Sequence, residues 1–178
     1  MDYSIVPMPP DLWPAVRDIY REGIVTGNAT FATEVPDWAQ WNGSHRQDCR
    51  LVALDGIEED QAELLISLNK FSVLGWAALA PVSSRHAYRG VAEVSVYVAA
   101  ASRGRGVGTA LLRALVQESE VHSIWTLQAG IFPENTASLA LHKSCGFQKV
   151  GLRKHIAKLG DRWRDVVLLE RRSSTVGL

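Results

Sequence analysis

Hydrophobic and polar positions along the chain follow two periods, which separate predicted strands from predicted helices. Residues 91–98, VAEVSVYV, alternate with a period of two, as expected for a strand with one buried face. Over residues 12–20, apolar side chains return every three or four positions, which is typical of an amphipathic helix, and Asp11 is a candidate cap at its start. A leucine-rich pattern predicts another helix from about Thr109 to Ser119.

The predicted elements are, in order, a strand, two helices, three strands, a helix, a strand, a helix and two strands. Strands are predicted at residues 4–8, 50–54, within 64–82, 91–98, 124–132, 148–160 and 162–172, and helices at 9–27, 35–47, 109–119 and 134–147. Gly146 suits a left-handed ending of the last helix. This order predicts an α+β fold around a mixed sheet. The chain shows no internal repeat and no low-complexity linker, so we expect one domain over residues 1–178.

Composition and charge narrow the classes of partner. Nineteen basic and nineteen acidic side chains cancel, so the formal net charge at pH 7 is zero. No block of Lys or Arg indicates a nucleic-acid surface or an anionic membrane, and we expect neither partner. Cys49 and Cys145 lie far apart without metal-ligand spacing, which predicts free thiols and no metal site. The sequence has no targeting signal and no apolar run of the roughly 18 residues that a membrane span needs, so we expect a cytoplasmic protein.

An acidic stretch, GIEEDQAE at residues 56–63, lies between two predicted strands. Such a stretch is typical of a solvated hairpin tip, because charged side chains are most stable in water. A binding surface for a basic partner is the alternative, and the sequence favours the hairpin tip.

Three glycines spaced two apart, Gly104, Gly106 and Gly108, lie between the strand at 91–98 and the following helix. A Walker-type loop requires a Lys after its last glycine, and this chain has Thr109 there. The dinucleotide fingerprint requires Gly or Ala at position 109, where this chain has Thr. In addition, about 70 residues follow this position, fewer than a doubly wound nucleotide domain needs. Both kinds of nucleotide loop are therefore disfavoured.

The pattern that remains is R-x-x-G-x-G, formed by Arg103, Gly106 and Gly108 at a strand-to-helix turn. Backbone amides in such a turn point into one concavity, and the helix dipole adds positive potential, so a pyrophosphate fits there without a Lys. Arg103 and Arg105 can add charge-assisted contacts to phosphate oxygens. The alternative is a tight turn in which the glycines only avoid a steric clash.

In this context the stretch YVAAASRGRGVGTALL (97–112) resembles the acetyl-coenzyme A signature of the Gcn5-related N-acetyltransferase (GNAT) superfamily. Further stretches resemble its phosphinothricin and methionine sulfoximine acetyltransferase subgroup: GNATFATEVP (27–36), AEVSVYV (92–98), PENTASLALHKSCGF (133–147) and GDRWRDVVLLERR (160–172). The resemblance extends from about residue 4 to 172. It departs at 55–64, which is longer than usual in the subgroup, at Asp161, which resembles an insertion, and in the irregular stretch PVSSRHAYRG (81–90).

The resemblance implies a GNAT fold with about seven strands and four helices, in which acetyl-CoA is the acetyl donor. It assigns cofactor binding to the main chain of the strand at 91–98, to the glycine turn and to two positions in the predicted helix at 134–147. The residues concerned are Val96, Tyr97, Val98, Arg103, Gly104, Arg105, Gly106, Val107, Gly108, Thr109, Asn135 and Ser144. Asn135 also suits a helix cap, and the two roles are compatible.

Two side chains are candidates for proton transfer. An α-ammonium group is mostly protonated at pH 7, so acetyl transfer needs a base, acting directly or through water. Alternation places Glu93 on one strand face with Ser95 and Tyr97, and the resemblance gives Glu93 the role of base. From the residues alone, a partly exposed Glu paired with an Arg is the alternative. The resemblance makes His142 the group that protonates the departing thiolate, and a packed helical histidine is the alternative.

For the acceptor, the resemblance implies a small amino acid or analogue such as phosphinothricin or methionine sulfoximine. The pocket residues that it assigns are Thr30, Phe31, Tyr88, Arg89 and Trp163, and Arg89 suits the binding of a carboxylate. Structural roles in the core or at the surface are the alternatives for these residues. The resemblance also implies a homodimer, because a second subunit often completes the pocket of such enzymes.

Two other functions stay open from the sequence. The same fold and cofactor serve acetyltransferases for a polyamine, an aminoglycoside or a protein N-terminus, although a polycationic acceptor favours a more acidic protein than this one. A non-catalytic module that binds acyl-CoA is the other reading. The presence of both Glu93 and His142 argues against it.

Overall fold

The computed structural model describes residues 3–56 and 71–178. Its strands are β1 (Tyr3–Pro7), β2 (Arg50–Asp55), β3 (Val73–Pro81), β4 (Val91–Val98), β5 (Thr126–Ile131), β6 (Gln148–Leu159) and β7 (Arg162–Arg172). Its helices are α1 (Trp13–Val25), α2 (Trp38–Ser44), α3 (Val107–Val121) and α4 (Thr136–Ser144). Among the described residues, the order of these seven strands and four helices confirms the predicted α+β fold.

The sheet has the strand order β1-β2-β3-β4-β5-β7-β6, and only the β4–β5 pair is parallel among the strands described. β4 and β5 pair over three positions and end that pairing at Glu93 and Gln128. Beyond this point β4 continues to Val98 along β3, and β5 continues to Ile131 along β7. The two central strands therefore separate, and one edge of residues 94–98 carries main-chain groups that are not paired with β5.

Helices cover both faces of the sheet. One face carries α3 and α4, and its core includes Leu51, Leu79, Val94, Leu111 and Leu115. The opposite face carries α1 and α2, and its core includes Trp13, Val16, Trp41, Val52 and Trp76. Val96 and Val98 pack against the first core and Tyr97 against the second, which confirms the predicted alternation along β4.

The starts of two helices differ from the sequence predictions. Asp11 does not cap α1, because it lies in the 3₁₀ turn Pro10–Leu12 that precedes the helix, and Leu12 occupies the cap position without a capping side chain. α3 begins at Val107, two residues earlier than predicted, because the left-handed conformation of Gly106 places the helix boundary there.

The end of α4 is as predicted. Gly146 has a φ of 87°, and its N–H donates to the carbonyl of Lys143 at 3.1 Å. The N–H of Phe147 donates to the carbonyl of His142, also at 3.1 Å. These two bonds form a Schellman ending, which fixes the position of His142 in the last turn of the helix.

Residues 57–70 lie outside the described part of the chain. The acidic stretch at 56–63 and the first half of the predicted strand region at 64–82 fall mostly in this range, so the interpretations of both stay predictions. Within residues 3–56 and 71–178, no helix is long and apolar enough to cross a membrane.

Candidate active site

A cavity of about 700 Å³ lies where β4 and β5 separate. Its walls come from β4, the glycine turn, the start of α3, the end of β5, α4 and the loop that follows α1. The predicted site residues that line it are Thr30, Phe31, Glu93, Val96, Tyr97, Val98, Arg103, Gly104, Gly106, Val107, Gly108, Thr109, Asn135 and His142. The fold thus brings most of the sequence candidates into one place.

The N-terminus of α3 forms one end of the cavity. Gly104 and Gly106 have φ values of 79° and 81°, a backbone conformation that a side chain disfavours. The first helical hydrogen bond runs from the N–H of Ala110 to the carbonyl of Gly106 at 3.1 Å. The N–H groups of residues 107–109 precede it and lie at the positive end of the helix dipole, an arrangement that binds anions such as phosphate.

The glycine turn is held in place from several sides. A Cβ at Gly108 would lie 3.3 Å from a methyl carbon of Leu141 and 3.4 Å from one of Val98, so glycine lets α3 pack closely against α4 and β4. The Nη2 of Arg105 donates to the Oδ1 of Asp55 at 2.8 Å, and Arg105 does not line the cavity. This ion pair orients the turn, whereas Arg103 lies on the cavity wall.

Glu93 lies at the point where β4 and β5 separate. A Cβ at Gly130 of β5 would lie 3.9 Å from the Oε1 of Glu93, so the carboxylate extends across Gly130. Solvent reaches this side chain through the cavity, but the surrounding protein desolvates the carboxylate and raises its pKa above the usual range. The positive charge of Arg153 opposes that rise in pKa in part. A carboxylate with a raised pKa is a stronger proton acceptor and suits general base catalysis.

His142 is almost fully buried, with 4% of its surface exposed, and its ring packs edge-on against Phe147. The Nδ1 atom lies 2.9 Å from the carbonyl oxygen of Ser138, which can only accept, so Nδ1 carries the hydrogen. Burial lowers the pKa of the imidazole, so the ring is neutral at pH 7 and Nε2 has a free lone pair. Among the described residues, Nε2 has no hydrogen-bond partner.

Asn135 caps α4, as its position in the sequence predicts. Its Oδ1 accepts a hydrogen bond from the N–H of Ser138 at 3.1 Å. Its Nδ2 donates to the carbonyl of Asn28 at 3.1 Å, which ties the loop after α1 to the start of α4. Asn135 also lines the cavity, so its capping role is compatible with a contact to a bound molecule.

Arg164 of β7 also holds the loop after α1 in place. It is 8% exposed, its Nη1 donates to the carbonyl of Gly27 at 2.9 Å, and its Nη2 donates to the Oε2 of Glu134 at 3.1 Å. Its guanidinium lies over the ring of Phe132, 3.9 Å from the centroid. The Phe31 ring packs edge-on against Phe132 at 4.8 Å, so Arg164 positions one wall of the cavity.

The remaining predicted residues do not line the cavity. Ser144 donates to the carbonyl of Leu141 at 2.8 Å, Tyr88 is half exposed, and the guanidinium of Arg89 lies 5.2 Å from the ring centroid of Trp125. Trp163 is 52% exposed, with the Nζ of Lys158 at 5.3 Å from its ring centroid. The cofactor role of Ser144 and the acceptor roles of the other three stay predictions.

The structure also brings residues to the site that the sequence analysis did not select. Gly130 and Val166 line the cavity, Arg164 supports it, and Arg153 acts on the charge of Glu93. The period-two pattern of the last three strands was the available signal, because it predicts which residues share a face. Metal ligation has no support within the described ranges, where no cluster of three or more suitable side chains occurs.

One cavity combines a helix N-terminus suited to an anion with a carboxylate of raised pKa, an arrangement that suits an enzyme transferring a group from an anionic donor. Residues 13–147 match the model of the acetyltransferase (GNAT) family, and the chain belongs to this family. It is therefore an N-acetyltransferase, as are the curated relatives that it resembles.

Individual members of the family are similar to this chain over most of its length. Over 159 residues the chain is 35% identical to a phosphinothricin N-acetyltransferase from Alcaligenes faecalis, covering 89% of this chain and 76% of that protein. The solved structure of a GNAT phosphinothricin acetyltransferase from Sinorhizobium meliloti, in complex with AcCoA, is 27% identical with a TM-score of 0.79 and covers 99% and 91% of the two chains. A ribosomal-protein-alanine N-acetyltransferase structure from Brucella melitensis is 28% identical, also with a TM-score of 0.79, and covers 96% and 99%.

Acetyl-CoA is the acetyl donor in this family, and the residues present fit it. The uncapped N–H groups of residues 107–109 suit a pyrophosphate. The main-chain edge of residues 94–98 that is not paired with β5 suits the amide-containing pantetheine arm. Both features lie on the same cavity, which has the size to hold a large ligand.

Proposed function

We propose that this protein transfers the acetyl group of acetyl-CoA to the α-amino group of a small amino acid or analogue of the phosphinothricin or methionine sulfoximine type. The observation that carries the proposal is the position of Glu93. Its carboxylate lies in the cavity that also contains the α3 N-terminus and residues 94–98, so a base stands beside the proposed donor site. The likeness to a phosphinothricin N-acetyltransferase supports the choice of acceptor.

The donor end of the cavity binds through the main chain. Acetyl-CoA supplies an activated thioester carbonyl at this site. The N–H groups of Val107, Gly108 and Thr109 hold the pyrophosphate, with Arg103 as the nearby cation. Main-chain groups of residues 94–98 orient the arm and bring polar hydrogens near the carbonyl, where they stabilise negative charge as it develops.

Glu93 removes a proton from the acceptor. An α-ammonium group cannot attack a carbonyl until it loses a proton, and the raised pKa of Glu93 makes its carboxylate a suitable acceptor for that proton. Transfer occurs directly or through one water molecule, since the side chain is open to the cavity. The attack forms the C–N bond and leaves the nitrogen positively charged, with one proton more than the product amide carries, so this second proton must also leave.

His142 moves that second proton. The neutral ring with hydrogen on Nδ1 cannot donate from Nε2, so Nε2 first accepts a proton and then returns it to the departing sulfur. In this order of steps His142 still protonates the thiolate, as the family resemblance implies. It first receives that proton from the nitrogen of the acceptor. The unpartnered Nε2 supports the assignment, because a buried nitrogen without a hydrogen bond is costly unless a ligand or reaction uses it.

The acceptor end of the cavity suits a small ligand with few positive charges. Thr30 and Phe31 line it, and Phe31 narrows it by packing against Phe132. Among the described residues that line the cavity, Glu93 is the only carboxylate. A polyamine or an aminoglycoside would require several carboxylates for its several cations, so these acceptors fit less well.

Three further features belong to the proposal. We infer that the chain forms one catalytic domain and works in the cytoplasm. We also infer a homodimer, for which exposed apolar side chains on the last two strands give a surface: Val150, Leu152, Ile156 and Trp163. Light scattering during size-exclusion chromatography would measure a mass of two chains if the dimer exists and one chain if it does not.

A thiol-release assay tests the function directly. Acetyl-CoA is mixed with the protein and a panel of amines: L-phosphinothricin, L-methionine sulfoximine, other amino acids, spermidine, an aminoglycoside and a peptide with an N-terminal alanine. We expect release of the coenzyme A thiol with L-phosphinothricin and L-methionine sulfoximine. Preference for the peptide would assign the chain a protein acceptor instead. Acetyl-CoA should also raise the melting temperature, and a flat titration would contradict acetyl-CoA binding itself.

A further inference from the structure

A row of residues crosses four strands on the sheet face that carries Glu93. Gly130 of β5 is the next member, since a Cβ there would lie 3.9 Å from the Oε1 of Glu93 and 3.2 Å from a methyl carbon of Val166. Val166 of β7 lines the cavity and pairs in register with Arg153 of β6. Because paired residues project to the same face of a sheet, Arg153 lies on the face that carries Glu93, beside the cavity-lining Val166 and at the far end of this row.

The charges at the two ends of the row are separated rather than paired. Arg153 is exposed and forms no ion pair within 4 Å with any residue in the described part of the chain. It is nevertheless near enough to Glu93 for its charge to oppose the rise in the pKa of that carboxyl. An α-amino acid presents an ammonium and a carboxylate on one carbon, so it fits between a carboxylate and a guanidinium that do not already bind each other.

We propose that Arg153 binds the α-carboxylate of the acceptor while Glu93 binds and deprotonates its α-ammonium. The inference rests on the proposed function, because it takes the acceptor to be an amino acid. A guanidinium offers two parallel N–H donors to a carboxylate, which orients the α-carbon as well as attracting it. Gly130, between the two charges, leaves open the space that a side chain would fill.

The alternative carboxylate ligand is Arg89, which the family resemblance suggests. The guanidinium of Arg89 lies over Trp125, and its Nη1 is 3.5 Å from the carbonyl of His86. Neither arginine lines the cavity, but Arg153 is paired with the cavity-lining Val166 and its charge acts on Glu93, whereas Arg89 precedes β4 and lies over Trp125. The geometry therefore favours Arg153 for this role.

The test measures selectivity for the carboxylate. Initial rates are measured for L-methionine sulfoximine and its α-carboxamide, and for L-phosphinothricin and its α-carboxamide, with wild type and Arg153→Gln. We expect the ratio of kcat/KM for acid over carboxamide to fall about 10- to 100-fold in the variant, which corresponds to a lost charge-assisted hydrogen-bond pair. The KM for acetyl-CoA stays unchanged, and Arg153→Lys recovers part of the ratio.

Lys149→Gln is the matched control. Lys149 is an exposed cation of the same strand, but it pairs with Leu169 and so projects to the opposite face. An unchanged acid-to-carboxamide ratio in Arg153→Gln, or an equal loss in Lys149→Gln, overturns the inference while the proposed function stands. If wild type acetylates neither amino acid, the proposed acceptor class fails, and this inference fails with it.

Discussion

The two ends of the cavity are built in different ways. The proposed donor end comes mainly from one continuous stretch, residues 94–109, and offers mainly main-chain groups. The proposed acceptor end combines cavity-lining residues from distant places, namely the loop after α1, Gly130 and Val166, and our proposal adds Arg153, the register partner of Val166. On this proposal, donor binding depends on a local stretch of the chain, and acceptor choice depends on tertiary packing. Substitutions at the two ends should have separable effects.

The largest effect is expected where the two ends meet. Glu93→Gln removes the base but keeps the shape of the side chain, so kcat should fall by about 100- to 10,000-fold, the usual contribution of general base catalysis. Acetyl-CoA affinity, measured by calorimetry, should stay within about twofold. Glu170→Gln, on the same sheet face but outside the cavity lining, is the control and should keep full turnover. Unchanged turnover in Glu93→Gln would remove Glu93 from the mechanism.

The pH dependence sharpens this prediction. The carboxylate must be deprotonated to act, so kcat/KM should fall as the pH drops through the raised pKa of Glu93. A raised carboxyl pKa also means that the folded state binds this proton more tightly than the unfolded state, so its ionisation costs stability as the pH rises above about 4.5. Glu93→Gln should therefore melt slightly higher than wild type at pH 7 and equally at pH 4. The charged or titratable neighbours are Arg153 and Tyr97.

The second prediction separates the donor end from the acceptor end. Gly106→Val forces a β-branched side chain into a left-handed conformation at the start of α3, which disturbs the N–H groups of residues 107–109. Losing two charge-assisted hydrogen bonds should weaken acetyl-CoA binding by about 100-fold or more. Calorimetric titration measures this loss.

Gly160→Val is the control for folding cost. Gly160 also has a positive φ, 58°, but lies in the turn between β6 and β7, away from the cavity lining. Gly160→Val should lower the melting temperature about as much as Gly106→Val does, and it should leave the affinity for acetyl-CoA unchanged. Equal affinity in both variants would mean that the glycines form only a tight turn.

The difference between the two ends also explains what the sequence could predict. Gly106 and Glu93 belong to one stretch whose spacing is fixed along the chain, so a pattern of residues indicates their proximity. Arg153 and Glu93 are 60 positions apart and come to the same sheet face only through the strand order β4-β5-β7-β6 and a register that shifts within β6. Arg89 has the right chemistry for a carboxylate and a position close to Glu93 in sequence, but the turn before β4 carries it outside the cavity lining.

The third prediction concerns the support of the acceptor end. Arg164→Lys keeps a charge on β7 but cannot reach the carbonyl of Gly27 and the Oε2 of Glu134 with one planar group. Loss of these bonds should destabilise the protein by about 2 kcal/mol. The loop after α1 should loosen, so the KM for the amino acid should rise roughly 5- to 10-fold.

Arg171→Lys provides the comparison for this variant. Arg171 is a partly exposed residue of the same strand, and its Nη1 lies 3.1 Å from the Oε1 of Glu120. It should lose little stability and keep the KM of wild type. A normal KM for the amino acid in Arg164→Lys would show that the loop does not depend on this anchor.

The smallest effect is expected at Arg89. A large effect there would contradict the division of the cavity into the two ends described above. Because its guanidinium lies against Trp125 outside the cavity lining, Arg89→Gln should change the KM for the amino acid by less than about twofold. The acid-to-carboxamide ratio should stay at its wild-type value. A tenfold fall in that ratio would place the carboxylate near Arg89. The acceptor end would then have to include a segment that this chain alone does not bring to the cavity, which is the result expected if a second subunit completes the pocket.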